Sequence, residues 1–257
     1  MLASYALVGL AVGLIVGLTG VGGGSLMTPI LTGPFGVAPA IAVGTDLVFA
    51  AVTKGVGTAV HGWAGTVQWR AVAWLLAGSL LASLATLAWL RAHGAANPGL
   101  AGFIRKSVGI SVLLTALVLV FRGRLMAWIR ARPELQLQGR SRDATLLLAG
   151  LVLGALVTVS SIGAGALGAS ILFWLHPHWE PAEVAGTDIA YAVPLTAVAG
   201  AGHFALGTVD LFLLAGLLIG SVPAIALGSA IARRLPERLS GSLLAVVLTA
   251  AGTKMVL

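Results

Sequence analysis

The chain has 257 residues, of which 58% are hydrophobic and 9% charged, with a mean hydropathy of +1.03. A water-soluble domain carries about a quarter of its residues as charges, so a soluble fold is excluded and the outer surface must face lipid. Lys and Arg exceed Asp and Glu to give +7, but most arginines fall in short polar breaks, where positive charge orients a membrane protein and argues against nucleic-acid binding. Cysteine is absent, which removes disulfides, thiolate metal sites and any thiol-based relay.

The apolar stretches are roughly 3–33, 38–61, 68–90, 100–121, 144–175, 183–206, 209–232 and 239–257. Each approaches the roughly 20 residues that a membrane helix needs, so the sequence predicts an all-α, multi-pass membrane protein of the cell inner membrane. Residues 1–20 lack a basic start and a clear cleavage site, and read as a retained segment, not a signal peptide. In the first stretch Gly20-Val21-Gly22-Gly23-Gly24 precedes Ser25 and Pro29, and three adjacent glycines weaken a helix by roughly 1 kcal/mol each. A break is expected there, with a half-helix starting near Gly24 and Ser25.

The second stretch carries Thr45-Asp46, Lys54 and His61. Lys54 is the only lysine inside a predicted span. A charge near the bilayer centre costs at least about 2.5–3.5 kcal/mol, so it should face a polar cavity, a bound anion or an acid such as Asp46 or Asp188. His61 follows seven residues later on nearly the same helical face. The polar break 122–143 holds six arginines and Pro133, and reads as a basic cytoplasmic linker between a first membrane repeat, 1–121, and a second, 144–257. The fifth stretch contains Gly163-Ala164-Gly165, a second expected break. His176 and His178, with Glu180 and Glu183, match no strong metal spacing across Pro177, and the segment reads as an interfacial loop with Trp174 and Trp179. The sixth stretch carries Thr187-Asp188 and His203. No cofactor is implied.

The halves repeat one another. Gly22, Gly24 and Leu26 recur in the second half at a constant offset as Gly163, Gly165 and Leu167. With one residue inserted, Gly44-Thr45-Asp46, His61 and Gly65-Thr66-Val67 recur as Gly186-Thr187-Asp188, His203 and Gly207-Thr208-Val209. Internal duplication and broken helices are recurrent marks of transporters, with the breaks at the binding site. An anion needs donors and positive potential, and a half-helix start supplies free N–H groups and a partial charge of about +0.5. The expected substrate-binding residues are therefore Gly22, Gly23, Gly24, Ser25, Thr45, Lys54, His61, Gly163, Gly165, Thr187 and His203. Asp46, Asp188, His61 and His203 are candidates for coupling a proton to transport. The alternatives are plainer: helix packing for the glycines, helix N-caps for Thr45-Asp46 and Thr187-Asp188, and helix-end anchoring for the histidines.

The run Gly20–Gly24 into Thr28-Pro29, then Ala42-Val43-Gly44-Thr45, then His61 with Gly65-Thr66-Val67, resembles the TauE/SafE family of sulfite and sulfonate exporters over nearly the whole chain. The resemblance implies a secondary transporter that exports a small sulfur-containing anion such as sulfite or an organosulfonate, in a lipid bilayer. A membrane-embedded enzyme would need a nucleophile–base pair or metal cluster, and none is evident. A structural or assembly subunit would have no use for the paired polar motifs. Charge favours an inverted arrangement. If stretches 3–33 and 144–175 each enter and return, ten basic residues share one side against four on the other. By the positive-inside rule residues 122–143 are then cytoplasmic and both termini periplasmic.

Overall fold

The computed structural model describes residues 2–19, 24–63, 65–94, 98–132 and 136–232, and no strand occurs among them. The helices are α1 (Leu2–Thr19), α2 (Gly24–Thr32), α3 (Pro39–Trp63), α4 (Trp69–His93), α5 (Pro98–Arg130), α6 (Gly139–Ser160), α7 (Ala166–Leu175), α8 (Pro181–Ala205) and α9 (Leu211–Ala232). In lipid every backbone N–H and C=O must be satisfied within the chain, and helices do this locally. Among the described residues, Trp69–His93, Gly99–Phe121, Gly139–Ser160 and Pro181–Ala205 are long and apolar enough to cross a membrane. Large apolar side chains such as Leu81, Ile110, Leu148, Val152, Ile219 and Leu227 point outward, as a lipid-facing surface requires.

Sequence signals set the helix ends. α8 opens with Pro181 in its first turn and a capping box in which Glu180 and Glu183 satisfy each other's backbone N–H. α4 stops at Gly94, which adopts φ +72°. The stretch read as a linker is mostly helical: α5 runs to Arg130 and α6 starts at Gly139, leaving only 131–138 between them. The reason is that Arg is a good helix former. At 1.5 Å per residue, the 33 residues of α5 extend about 50 Å, so its last turns carry their arginines beyond a hydrocarbon core of about 30 Å.

Helix directions follow from the contacts. Gly44 lies against His203 and Thr208, Gly200 against Val48, and the Thr58 hydroxyl donates to the Ile189 carbonyl (3.4 Å), so α3 and α8 are antiparallel. The Gln68 backbone N–H donates to Thr187 Oγ1 (3.0 Å) and Leu87 packs on Gly202, so α4 runs parallel to α8. Gly150 abuts Leu75 and Gly154 abuts Ser79, making α6 parallel to α4. α7 ends just before α8 begins, while Gly168 in its first turn meets Asp188, so α7 runs back against α8. α6 and α7, joined through the second glycine cluster, thus point in opposite directions.

Two helix pairs pack backbone to backbone through glycine. Gly9 and Gly13 of α1 meet Leu217 and Ser221 of α9, and Gly220 meets Ala6. Gly150 and Gly154 of α6 meet Leu75 and Ser79 of α4, and Gly78 meets Leu147. At the sequence offsets of the like motifs, Gly150 falls opposite Gly9 and Leu75 opposite Leu217, Gly154 opposite Gly13 and Ser79 opposite Ser221, so the two sets of contacts join corresponding positions. A Cβ on any of these glycines would run into the facing backbone. Such close approach favours association where lipid provides no hydrophobic drive.

Candidate functional site

Building from the second glycine cluster, α6 ends at Ser160 and Ser161 takes a left-handed conformation, φ 59° and ψ 9°. Gly163 and Gly165 have φ +130° and +140°, values that L side chains rarely adopt, and α7 then starts at Ala166. The expected helix break is therefore present at residues 161–165. The Gly168 N–H donates to the Gly163 carbonyl (3.0 Å) and the Ala169 N–H to the Gly165 carbonyl (2.8 Å).

Lys54 reaches this break from α3. Its Nζ donates to the Ala164 carbonyl at 2.8 Å, and the side chain is buried, 9% exposed. The expected polar partner is thus a main-chain oxygen, with the Asp188 and Asp46 carboxylates close enough to add their fields. Thr196, the counterpart of Lys54 in the second half, merely bonds its own helix at the Ala192 carbonyl. Asp188, 4% exposed, turns its carboxylate to the Gly165 N–H, while its Oδ1 lies against Gly168 and has no hydrogen-bond partner. Asp46 is fully buried on α3, where its Oδ2 accepts from Thr28 Oγ1 (2.6 Å) and its Oδ1 is unpartnered. Tyr191, wholly buried one turn beyond Asp188, also has an unpartnered hydroxyl.

The remaining expected residues fall elsewhere. Thr45 and Thr187 sit well inside α3 and α8, not at N-caps. Thr45 Oγ1 accepts the N–H of Asp210, the residue that caps α9, and Thr187 Oγ1 accepts the N–H of Gln68, which precedes α4, both at 3.0 Å. They join each half to the start of a helix in the other. His203 is 1% exposed, with Nε2 donating to the Thr158 carbonyl (2.9 Å) and Nδ1 paired with the Thr208 hydroxyl (2.8 Å), which ties α8 to α6 and to the following turn. Gly22 and Gly23 lie outside the described residues. Gly24 and Ser25 open α2, and His61 belongs to α3, but their side chains are likewise outside what is described.

Glu183, besides capping α8, accepts from Gln68 Nε2 at 2.7 Å. His176 stacks on Trp179, ring centroids 3.7 Å apart, and burial, then the nearby Arg142 and His178, push its imidazole down to about 4. An apolar groove of about 460 Å³ between α5, α6 and α7, with Trp128 and Trp174 in its wall, is lined by none of the residues gathered around Lys54.

Three residues of this arrangement escaped the sequence reading. Thr28 was visible beside Pro29 but carried no marker of its partnership with Asp46. Tyr191, one of two tyrosines, was an available signal, since a phenol in a membrane stretch needs a reason. Nothing in the sequence marks Ser161 as left-handed.

The sequence is matched by known proteins. The family model described as "Sulfite exporter TauE/SafE" matches residues 5–255. The chain is 34% identical over 256 residues, all of both chains, to the "Probable membrane transporter protein YjnA" of Bacillus subtilis (strain 168). It is 38% identical over 104 residues, 40% of each chain, to the "Probable membrane transporter protein" of Xylella fastidiosa (strain Temecula1 / ATCC 700964). No solved structure matches it. The match over nearly the whole chain and the multi-pass helical fold together show that the chain is a multi-pass membrane transporter that belongs to the TauE/SafE sulfite exporter family.

Proposed function

We propose that this transporter exports a small sulfur-containing anion, sulfite or an organosulfonate, across the inner membrane in company with a proton. The observation that carries the reading is Lys54: a buried ammonium delivered by α3 to the break that starts α7. That break offers main-chain N–H groups at a helix start, without side chains at Gly163 and Gly165 to hold an anion away. Lys54 can exchange the Ala164 carbonyl for a sulfonate oxygen, which adds the attraction of opposite charges to a bond whose donor is already charged.

We further infer that the halves are inverted repeats, in which 3–33 and 144–175 each enter and return. Support comes from the antiparallel α3 and α8, the opposed α6 and α7, and the exchanged glycine contacts. Arg70 bonds Asp143 at 2.7 Å, so the starts of α4 and α6 share one end of the molecule with the arginines of the α5–α6 connection. Inverted repeats pack around a central site and expose it alternately by rocking. Gly22–Ser25 would supply the first half's contribution to that site.

Reconstituted protein tests the reading. Proteoliposomes should move labelled sulfite or methanesulfonate, faster with a pH gradient than without, and Lys54→Met should abolish the flux. Absence of flux for both anions, in vesicles whose protein is folded and correctly inserted, would remove sulfur anions as the cargo.

A further inference from the structure

The place where an anion should bind is filled by part of the protein. The Asp188 carboxylate faces the Gly165 N–H at the start of α7, its Oδ1 rests where a Cβ on Gly168 would stand, and that oxygen has no partner although the residue is 4% exposed. Lys54 Nζ, bonded to the carbonyl of Ala164, the residue before Gly165, adds its field at Asp188 without forming an ion pair with it. A carboxylate presents two oxygens and one negative charge to the helix start and the ammonium, which is what two oxygens of a sulfonate or bisulfite would present.

Resting on the anion-transport reading above, we propose that Asp188 is a tethered competitor of the transported anion: the anion takes its place at the α7 start only when Asp188 accepts a proton and withdraws, so that one proton accompanies each anion. The balance is simple. With Asp188 charged, its carboxylate already acts on the one ammonium of Lys54, which the Asp46 carboxyl shares. When the anion enters, it supplies that negative charge, and Asp188 cannot remain charged beside it in a site with no second cation among the described side chains. Lys54, from α3, is the charged group that adds its field at Asp188, and Asp46, also from α3, adds its own at Lys54. From α7 the group meets only Gly165 and Gly168 backbone. On α8 itself it meets the uncharged Tyr191 a turn away, while His203 is spent at the far end of that helix on Thr158 and Thr208. α4 brings Gln68 and Ser79 toward α8, neither of them charged. The geometry thus explains why Gly168 has no side chain: a methyl group there would displace the carboxylate from the helix start.

Two measurements on the full-length protein in detergent decide the matter. Methanesulfonate is the probe, because its own sulfonate does not titrate between pH 5 and pH 9. In weakly buffered solution the wild type should take up about one proton per anion bound, read with a pH-indicator dye. Asp188→Asn removes both the competing charge and the titratable group while keeping the shape. It should bind methanesulfonate at pH 8 at least about tenfold more tightly than the wild type, a gain of one decade in Kd, with no dependence on pH and no proton uptake. In vesicles it should still exchange anion for anion but lose accumulation driven by a pH gradient. Wild-type binding without proton uptake, or an Asp188→Asn variant that keeps the wild-type pH dependence, would overturn the proposal and leave anion transport standing. No binding by the wild type at any pH would sink the transport reading together with it. The dye measurement needs no variant, so misfolding of Asp188→Asn cannot shelter the idea.

Discussion

Asp46 and Asp188 close the same Gly-Thr-Asp sequence in the two halves, yet they answer to different donors. Asp46 is held by a side-chain hydroxyl, Thr28 Oγ1, at 2.6 Å. Asp188 faces main chain at a helix start and leaves an oxygen against Gly168, while the Lys54 ammonium adds its field at both carboxyls. The position matching Thr28 is Ala169, and the position matching Lys54 is Thr196, so each half has kept one polar partner that the other lacks. The comparison teaches that two like sequence motifs can stand in unlike surroundings. On the proposed reading, a site with one ammonium would take one anion, and a second lysine at position 196 would have repelled the first.

The most severe way to break this contrast is Lys54→Met. Methionine keeps the length and apolar stem, so the protein should remain monodisperse, but anion affinity should fall by roughly 10- to 150-fold, the range for losing a charge-assisted bond. Unchanged affinity by equilibrium binding would deny Lys54 any part in the site. Gly165→Val comes next. A β-branched residue at φ +140° carries strain of about 1–3 kcal/mol and fills the approach to the α7 start, so flux should vanish while a shifted melting temperature reports the strain. Gly23→Val and Gly24→Val are expected to abolish flux through the first half in the same way.

Thr28→Val sharpens the comparison from the other side. It strips Asp46 of its hydroxyl donor and should cost about 1–3 kcal/mol of stability, while proton uptake on anion binding persists because Asp188 is untouched. Loss of proton uptake in this variant would move the coupling to Asp46. The mildest test is a matched pair, Thr45→Val and Thr187→Val. Each removes one acceptor from a main-chain N–H of the other half, and each should lower stability by a similar amount, about 1–3 kcal/mol. A large inequality between them in thermal unfolding would speak against equivalent halves. Orientation can be checked independently in this cysteine-free chain. Single cysteines at Ser4 and Val256 should react with an impermeant thiol reagent on intact cells, and one at Ser141 should not.

Much of this was readable from residue order. The helices lay in the apolar stretches, and the second break lay in Gly163–Gly165, because lipid solvation and glycine's backbone freedom act locally. The helical character of the basic stretch 122–143 was not legible, since arginine is polar by any hydropathy measure but prolongs a helix readily. Thr45 and Thr187 looked like caps of their own helices. Their true partners, Asp210 and Gln68, are 165 and 119 residues away, and no local pattern announces a contact of that span. The same limit concealed the bond from Lys54 to Ala164. The sequence told that the charge had to be satisfied, and only the packing of α3 against the break told by what.

The glycine seams set a timetable for biosynthesis. α4 meets Gly150 and Gly154 of α6 soon after leaving the ribosome, but Gly9 and Gly13 of α1 must wait for Leu217 and Ser221 of α9, made after most of the chain. At about 5–20 residues per second this is a delay of about 10–40 s. Throughout it the first helix made has no partner for its glycine face. The nascent chain therefore assembles from the middle outward, and its earliest segment is the last to be locked in, a window in which insertion factors or quality-control proteases have their best access.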